Sequence, residues 1–253
     1  MAIAALLLGA RIAAGGEATG LERRTTVVAA AADLRPALDD LLLAFEAGGG
    51  GPVRVAYGSS GTFFAQLSAG APFDLFLSAD AEYPARLVAA GKALAGTEFR
   101  YAIGRLALYA RHGSPVDPAR GLEGLAAPGV GQVAIANPAH APYGRAAQAA
   151  LAATGLSAAV TPRLVIGESA AQAAQFAALA CDAGLIPLAL ARSPALAAAG
   201  RHALVPAALH PPILQTGVVL AGSADPARAR ALAAFLQSPA ARAALARAGF
   251  EPP

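Results

Sequence analysis

The chain has 253 residues, 56% of them hydrophobic, which is enough to bury one large core or two ordinary ones. Its formal net charge of +3 comes from 19 basic and 16 acidic residues, with no cluster of Lys and Arg among aromatic residues of the kind that binds nucleic acid. A single cysteine, Cys181, excludes an intramolecular disulfide, and no two of the four histidines stand four residues apart, as paired helical metal ligands do. We therefore expect a globular protein without a nucleic-acid partner, a cofactor or a cysteine-based metal site.

The first 24 residues resemble a secretory signal. An apolar run from Ala2 to Ala10 is followed by small residues, although the basic residues that usually precede such a run are missing. The run is too short to span a bilayer. We predict a leader over residues 1–24 and an exported, periplasmic mature protein that begins near Thr25; a frayed N-terminal helix is the alternative.

Strands and helices alternate through the first hundred residues. TTVVAAAA (residues 25–32), PVRVAY and DLFLS read as strands, and each precedes a segment with apolar residues at helical spacing: LRPALDDLLLAF, residues 62–67, and EYPARLVAAG. Repeated βα units indicate a parallel sheet flanked by helices, with ligands at the carboxyl ends of the strands.

A second α/β series follows a loop rich in Gly and Pro. RLALYAR, QVAIANP and RLVIG read as strands, with helices over residues 144–153 and 169–180; ILQTGVVLAG is a late strand, followed by helices that begin after Asp225 and Ser238. We predict that residues 105–111 and 218–221 pair as a two-stranded connection. One lobe then comprises residues 25–104 and 216–253 and the other residues 105–215, with hinges near Gly104 and Gln215-Thr216.

Four loops share one plan, in which a strand ends, small or polar residues follow, and a helix starts. They are Ala32-Asp33-Leu34, Gly58-Ser59-Ser60-Gly61, Ala141-Pro142-Tyr143-Gly144 and Gly167-Glu168-Ser169-Ala170. Helix N-termini carry unpaired N–H groups and partial positive charge, so several that converge form an anion site without Lys or Arg. Taken singly, Ser or Asp at such a position is more often a simple N-cap.

Stretches from Val27 to the C-terminus resemble, in order, the extracytoplasmic molybdate-binding proteins of ABC transporters, which are two-lobed periplasmic binding proteins. They are AAADL, YGSSGTFFAQL, GAPFDLFLSAD, YAIGRLALYA, ANPAHAPYGRAA, GESAAQAAQF and SPAARAALARAGF. The resemblance implies an α/β, class II periplasmic-binding-protein fold, each lobe a mostly parallel sheet flanked by helices. It also implies a monomer that closes on molybdate or tungstate, its ligand, and delivers it to a membrane permease.

Members of this family hold the oxyanion with neutral donors from both lobes. Carried over to this chain, the donors are Asp33, the turn Ser59 to Gly61 with Ser60 as the hydroxyl donor, and the backbone at Tyr143 and Ala170. Asp33, Ser60, Tyr143 and Ala170 would approach the metal only through the oxygens of the oxyanion.

Three positions depart from the family pattern. Asp33 stands where Ser or Thr is usual, Ser169 where Asn is usual, and Pro187 where a tyrosine often donates its hydroxyl. The Asp33 carboxylate either caps the helix that begins at Leu34, which we favour, or points into the site, where it repels a dianion and accepts the proton of hydrogen phosphate.

Other functions remain open. A binding protein for sulfate, phosphate or an organic anion would use the same fold. A serine hydrolase would need Ser59 or Ser60 with His140 and Asp74, but Thr62 stands where the last glycine of G-x-S-x-G belongs. An effector-binding lobe pair attached to a DNA-binding module fits poorly, because the segment before Thr25 is short and apolar.

Overall fold

The computed structural model describes residues 24–253, so the predicted leader lies outside the described residues except for Arg24. The described strands are β1 (Thr26–Ala31), β2 (Val53–Gly58), β3 (Leu75–Ser78), β4 (Phe99–Gly104), β5 (Leu106–Arg111), β6 (Val133–Ala136), β7 (Leu164–Gly167), β8 (Ala183–Pro187), β9 (Gly200–Leu204) and β10 (Ile213–Val219). The α-helices are α1 (Arg35–Phe45), α2 (Ser60–Ser68), α3 (Glu82–Ala89), α4 (Pro142–Ala153), α5 (Ser157–Val160), α6 (Ala170–Leu179), α7 (Leu188–Ala191), α8 (Pro194–Ala199), α9 (Pro226–Leu236) and α10 (Pro239–Ala248).

These strands form two five-stranded sheets built on the same plan. The first has the order β2-β1-β3-β10-β4 and the second the order β7-β6-β8-β5-β9. In each sheet the first three strands are parallel, the fourth is antiparallel to its neighbours, and the fifth pairs antiparallel with the fourth. The carboxyl ends of the parallel strands in each sheet therefore lie at one edge, where helices begin.

The predicted pairing between residues 105–111 and 218–221 is wrong. β5 pairs with β8 and β9 in the second sheet, whereas β10 pairs with β3 and β4 in the first. Both segments are apolar and buried, so each is suited to the interior of a sheet, and their hydrophobicity alone does not specify a partner.

Each sheet buries its own apolar residues under helices. The first is covered on one face by α1, α9 and α10 and on the other by α2 and α3, and the second packs against α4 and α6. Ala173 and Ala177 of α6 are fully buried, and a Cβ at Gly184 of β8 would lie 2.6 Å from the Ala177 Cβ. The alanine-rich segments are therefore ordered helices whose small side chains allow close contact with the sheet.

Within the described residues the chain crosses between the sheets twice, between β4 and β5 at Gly104-Arg105 and between β9 and β10 over residues 205–212. β10 carries a β-bulge at Gln215/Thr216, and Glu251 near the C-terminus bridges to Ile103 beside the first crossing. The predicted hinge near Gly104 coincides with the first crossing, whereas the one at Gln215-Thr216 lies inside β10, at its bulge. All of β10, from Ile213 onward, belongs to the first sheet, so the predicted boundary at residues 215/216 falls inside this strand. Within residues 24–253, no helix is long and apolar enough to cross a membrane.

Candidate functional site

A small cavity lies where the carboxyl ends of β1 and β2 meet the first turns of α4 and α6. Its lining comes from both lobes. The lobe of the first sheet contributes Ala31, Ala32, Asp33, Gly58, Ser59, Ser60 and Ala79, and the lobe of the second sheet contributes Ala141, Pro142, Tyr143 and Ala170. Five of the six predicted ligand-binding residues are among them. The cavity volume is about 10 Å³, near that of one water-sized sphere.

Four helix starts converge on this cavity. They are the 3-10 turn Ala32–Leu34 that leads into α1, and the first turns of α2, α4 and α6. Helix geometry leaves the N–H groups of Ser60, Tyr143 and Ala170 without an intrahelical acceptor. Because the lining contains no Lys or Arg, backbone dipoles rather than basic side chains would attract an anion there.

The Ser60 hydroxyl already accepts a hydrogen bond from the backbone. Its Oγ accepts a hydrogen bond of 3.0 Å from the Ala79 N–H, and the residue is only 1% exposed. A hydroxyl that accepts in this way still has its proton to donate. Because Ser60 also lines the cavity, its hydroxyl proton is available to donate there.

Ser59 and Gly61 make hydrogen bonds across the cleft. The Ser59 hydroxyl donates to the His140 carbonyl at 2.6 Å, and the Gly61 N–H donates to the same oxygen at 2.9 Å. His140 precedes α4, so these bonds join the first turn of α2 to the opposite side of the cleft. We call the contact of Ser59 and Gly61 with the His140 carbonyl the cleft latch.

The predicted capping role of Asp33 is wrong. Its side chain makes no cap hydrogen bond; instead Oδ2 accepts from the Gln215 Nε2 at 2.7 Å, and the residue is 1% exposed. The Tyr101 hydroxyl donates to the Gln215 Oε1 at 3.0 Å, which orients the amide so that its NH₂ group faces Asp33. Burial raises the pKa of Asp33 to about 6, against the lowering effects of the nearby Tyr143 hydroxyl, its own N–H and the hydrogen bond from Gln215.

The second side of the cleft contributes mainly backbone. Tyr143 follows Pro142 at the start of α4, so its N–H is the first that this helix presents, and its hydroxyl lies beside Gln215, close against Gly104. Burial and the nearby Asp33 hold the pKa of Tyr143 well above its usual range. Ser169 caps α6 by accepting from the Gln172 N–H at 3.2 Å, and Pro187 ends β8 opposite Leu106.

A wider cleft of about 250 Å³ adjoins the cavity and shares Ala79 and Pro142 with it. The only charged groups in its lining are Arg145 and Asp80, which form an ion pair with each other across the cleft; Arg145 also donates to the Tyr83 hydroxyl at 3.2 Å. Since this opening is mostly apolar and its charges are paired, the smaller cavity has the better chemistry for holding an anion.

A family model described as bacterial extracellular solute-binding protein matches residues 26–251 of the chain. The chain belongs to this family. It is 34% identical to the molybdate-binding protein ModA of Azotobacter vinelandii, over 94% of each sequence. It is also 35% identical to the molybdate-binding protein ModA of Rhodobacter capsulatus, over 97% of this chain and 93% of the relative.

Solved structures support the same fold. The Azotobacter vinelandii periplasmic molybdate-binding protein superposes with a TM-score of 0.83 at 34% identity, over 90% of this chain and 99% of that one. The sulfate-binding protein SubI of Mycobacterium tuberculosis H37Rv, at 21% identity and a TM-score of 0.70, shares the fold over 90% of this chain and 86% of its own. The predicted two-lobed α/β periplasmic-binding-protein fold is confirmed.

The trio that a serine hydrolase would need is not assembled in this solute-binding protein. Ser59 contacts the carbonyl of His140 rather than its ring, and that ring faces Asn137 and Glu168. Asp74 accepts from the Val27 N–H, near the start of β1, and from two groups that precede α9. Within residues 24–253, no group of three or more His, Cys, Asp and Glu side chains is placed to hold a metal ion.

Sequence reasoning missed the residues that support the site. Gln215 was expected only at a hinge, yet its fully buried amide links Asp33 to Tyr101. The N–H of Ala79 and the carbonyl of His140 act through the backbone, which no side-chain pattern reports. A Gln within a mostly apolar, buried strand was the one available signal.

Proposed function

We propose that this protein captures molybdate or tungstate in the periplasm and delivers the oxyanion to the permease of an ABC transporter. The observation that carries the proposal is the convergence of four helix starts and the Ser60 hydroxyl on one small cavity without basic side chains. The names of the relatives, both molybdate-binding proteins, support the choice of ligand.

The donor set suits a dianion with four oxygens. The N–H groups of Ser60, Tyr143 and Ala170 and the hydroxyl of Ser60 approach from both sides of the cleft, so each oxygen can receive a separate bond. A hydrogen bond to a charged group contributes about 1.5–3 kcal/mol. Four such bonds in a buried site are ample for tight binding without a counter-ion.

The size of the cavity supports an inorganic ligand. Sites for drug-sized organic ligands are typically about 300–1,000 Å³, far above the volume found here. An ion of five atoms is larger than this cavity but much smaller than a sugar or an amino acid, so it requires the smaller adjustment of the lining.

The cleft contacts fit a cycle of capture and release. Opening about the two crossings separates the Ser59 and Gly61 donors from the His140 carbonyl and exposes the cavity, and closing restores both bonds. A permease that binds the closed arrangement of the lobes would receive only the loaded protein. We propose that a single chain, acting as a monomer, performs this cycle.

Isothermal titration of the purified protein with molybdate, tungstate, sulfate and phosphate tests the proposal. We expect tight one-to-one binding of molybdate and tungstate and binding of sulfate that is weaker by at least about tenfold, about 1.4 kcal/mol. Sulfate has the same shape and charge but shorter bonds, so it is the stringent competitor. Preferred binding of phosphate or sulfate, or no binding of any of the four, would overturn the proposal.

A further inference from the structure

Asp33 places a carboxyl group in the cavity with one oxygen held and the other unpaired. Oδ2 accepts from Gln215, whereas Oδ1 is buried and has no hydrogen bond of normal geometry among the described residues, although the Tyr143 hydroxyl is near enough to lower the pKa of the group. The side chain is 1% exposed and belongs to the lining of the cavity. A buried polar oxygen without a partner is uncommon and calls for a functional explanation.

Among residues 24–253, no Lys or Arg lines the cavity beside Asp33 to compensate an ionised carboxylate. The titratable groups that face it are Tyr101 from β4 and Tyr143 from α4, and the pKa of each is held well above its usual range, so both are neutral in the physiological pH range. Gln215 faces it from β10 and is uncharged. The helices α1, α6 and α7 also pack against this turn, and α6 and α7 contain no titratable residue. In α1, Arg35 stacks on the Tyr57 ring, Asp39 accepts from the Tyr57 hydroxyl and Asp40 is exposed, so their contacts are directed away from Asp33. An ionised carboxylate there gains only hydrogen bonds against the full cost of burial.

A bound dianion makes the charged form of this carboxyl still less favourable, because two like charges in a buried site repel strongly. A protonated carboxyl has the opposite effect, since its O–H is a donor. With Oδ2 accepting from Gln215, the proton belongs on Oδ1, the free oxygen of the pair.

We propose that Asp33 binds the oxyanion as a neutral carboxylic acid, with the proton on Oδ1 donated to an anion oxygen, so that each capture takes up one proton from solvent. This inference rests on the proposed function and assigns Asp33 the donor role that a hydroxyl residue would otherwise have at this position. No bond of the anion breaks; one proton moves from water to Asp33, and the complex carries one negative charge less than its ionised parts.

The test is titration calorimetry with molybdate at micromolar concentration between pH 6 and 8.5, in pairs of buffers that differ in ionisation enthalpy. Above the pKa of the free carboxyl we expect an uptake approaching one proton per anion, and a Kd that rises about tenfold per pH unit. Asp33→Asn has the same shape and is neutral at every pH. It should bind without proton uptake, with a nearly constant Kd, and more tightly than the parent at pH 8.

His140 needs a matched control, because it carries an ionisable ring at the edge of the cleft, beside Asn137 and Glu168. His140→Gln keeps the backbone carbonyl that the cleft latch uses and should retain the pH slope, whatever its effect on affinity. A flat pH profile in the parent, or a slope that persists in Asp33→Asn or disappears in His140→Gln, overturns the inference while the proposed function stands. Failure of both the parent and Asp33→Asn to bind molybdate or tungstate at any pH overturns the proposed function as well.

Discussion

The two sides of the cleft contribute different chemistry to one cavity. The first presents side chains, the hydroxyl of Ser60 and the carboxyl of Asp33, whereas the second presents mainly backbone N–H groups at Tyr143 and Ala170. Side-chain donors can be exchanged by a single substitution, but backbone donors act only when the helix that carries them is in place. The first side is therefore suited to setting which anion is held, and the second to making tight binding depend on closure.

Blocking closure of the lobes should have the largest effect on the affinity for molybdate. A Cβ at Gly61 would lie 2.6–2.8 Å from the Cβ, carbonyl oxygen and Cα of His140, so Gly61→Ala holds the lobes apart. The anion then loses the N–H donors of Tyr143 and Ala170, about 1.5–3 kcal/mol each. We expect affinity for molybdate to fall by a factor of about 10²–10⁴ in calorimetry.

Gly222→Ala is the matched control, because a Cβ there meets nothing within 4 Å. It should bind like the parent. The melting temperature of Gly61→Ala without ligand should also stay close to that of the parent, since the clash lies between the lobes and not within either core. Parent-like affinity in Gly61→Ala would show that closure on His140 is not required.

The carboxyl on the first side should also lower stability in the absence of ligand. Burial raises the pKa of Asp33 from 3.8 to about 6, so the native state binds the proton more tightly than the unfolded state. Its stabilising contribution is present in full below pH 3.8 and is lost as pH rises through about 6. The ionised form then costs about 3 kcal/mol.

Denaturant unfolding of the parent and Asp33→Asn at several pH values from 4 to 7.5, without anion, measures this contribution. The free energy of unfolding of the parent should fall relative to that of the variant by up to about 3 kcal/mol across the range. Parallel pH profiles for the two proteins would mean that Asp33 is ionised in the native state at little cost.

Ser59 and Ser60, which both lie on the first side of the cleft, allow hydrogen-bond donation to the anion to be tested separately from closure of the lobes. Ser60→Ala removes a charge-assisted donor and should weaken molybdate binding by about 1.5–3 kcal/mol, roughly tenfold to a hundredfold. Ser59→Ala removes only the hydroxyl that bonds to the His140 carbonyl, a neutral contact of about 0.5–1.5 kcal/mol. Calorimetry should therefore rank Ser60→Ala well below Ser59→Ala in affinity, and the reverse order would exchange the roles assigned to them.

The same contrast separates what the sequence predicts from what it does not. The strand-to-helix loops follow from local periodicity and turn residues, and parallel βα units bring Asp33 and Ser60 to the edge of one sheet and Tyr143 and Ala170 to the edge of the other. That the two edges face each other across one cavity followed only from the resemblance to two-lobed binding proteins. The orientation of the Asp33 carboxyl could not be predicted, because it depends on Gln215, which is 182 residues away in the sequence. The partners of β5 and β10 were also beyond local pattern, since two buried apolar strands suit either sheet.

The ion pair of Arg145 and Asp80 should have the smallest effect on closure. It joins the two sides at the mouth of the cleft, but the Arg145 side chain is 40% exposed and the Asp80 side chain 24%, so solvent screens the pair. Arg145→Ala should weaken molybdate binding by no more than about 1 kcal/mol, or fivefold, mainly through faster dissociation. Stopped-flow release should reveal it, with Arg86→Ala as the control, because Arg86 pairs with Glu82 within α3 and does not reach across the cleft. A loss comparable to that of Gly61→Ala would show that the mouth of the cleft, rather than the backbone contact at His140, holds the lobes closed.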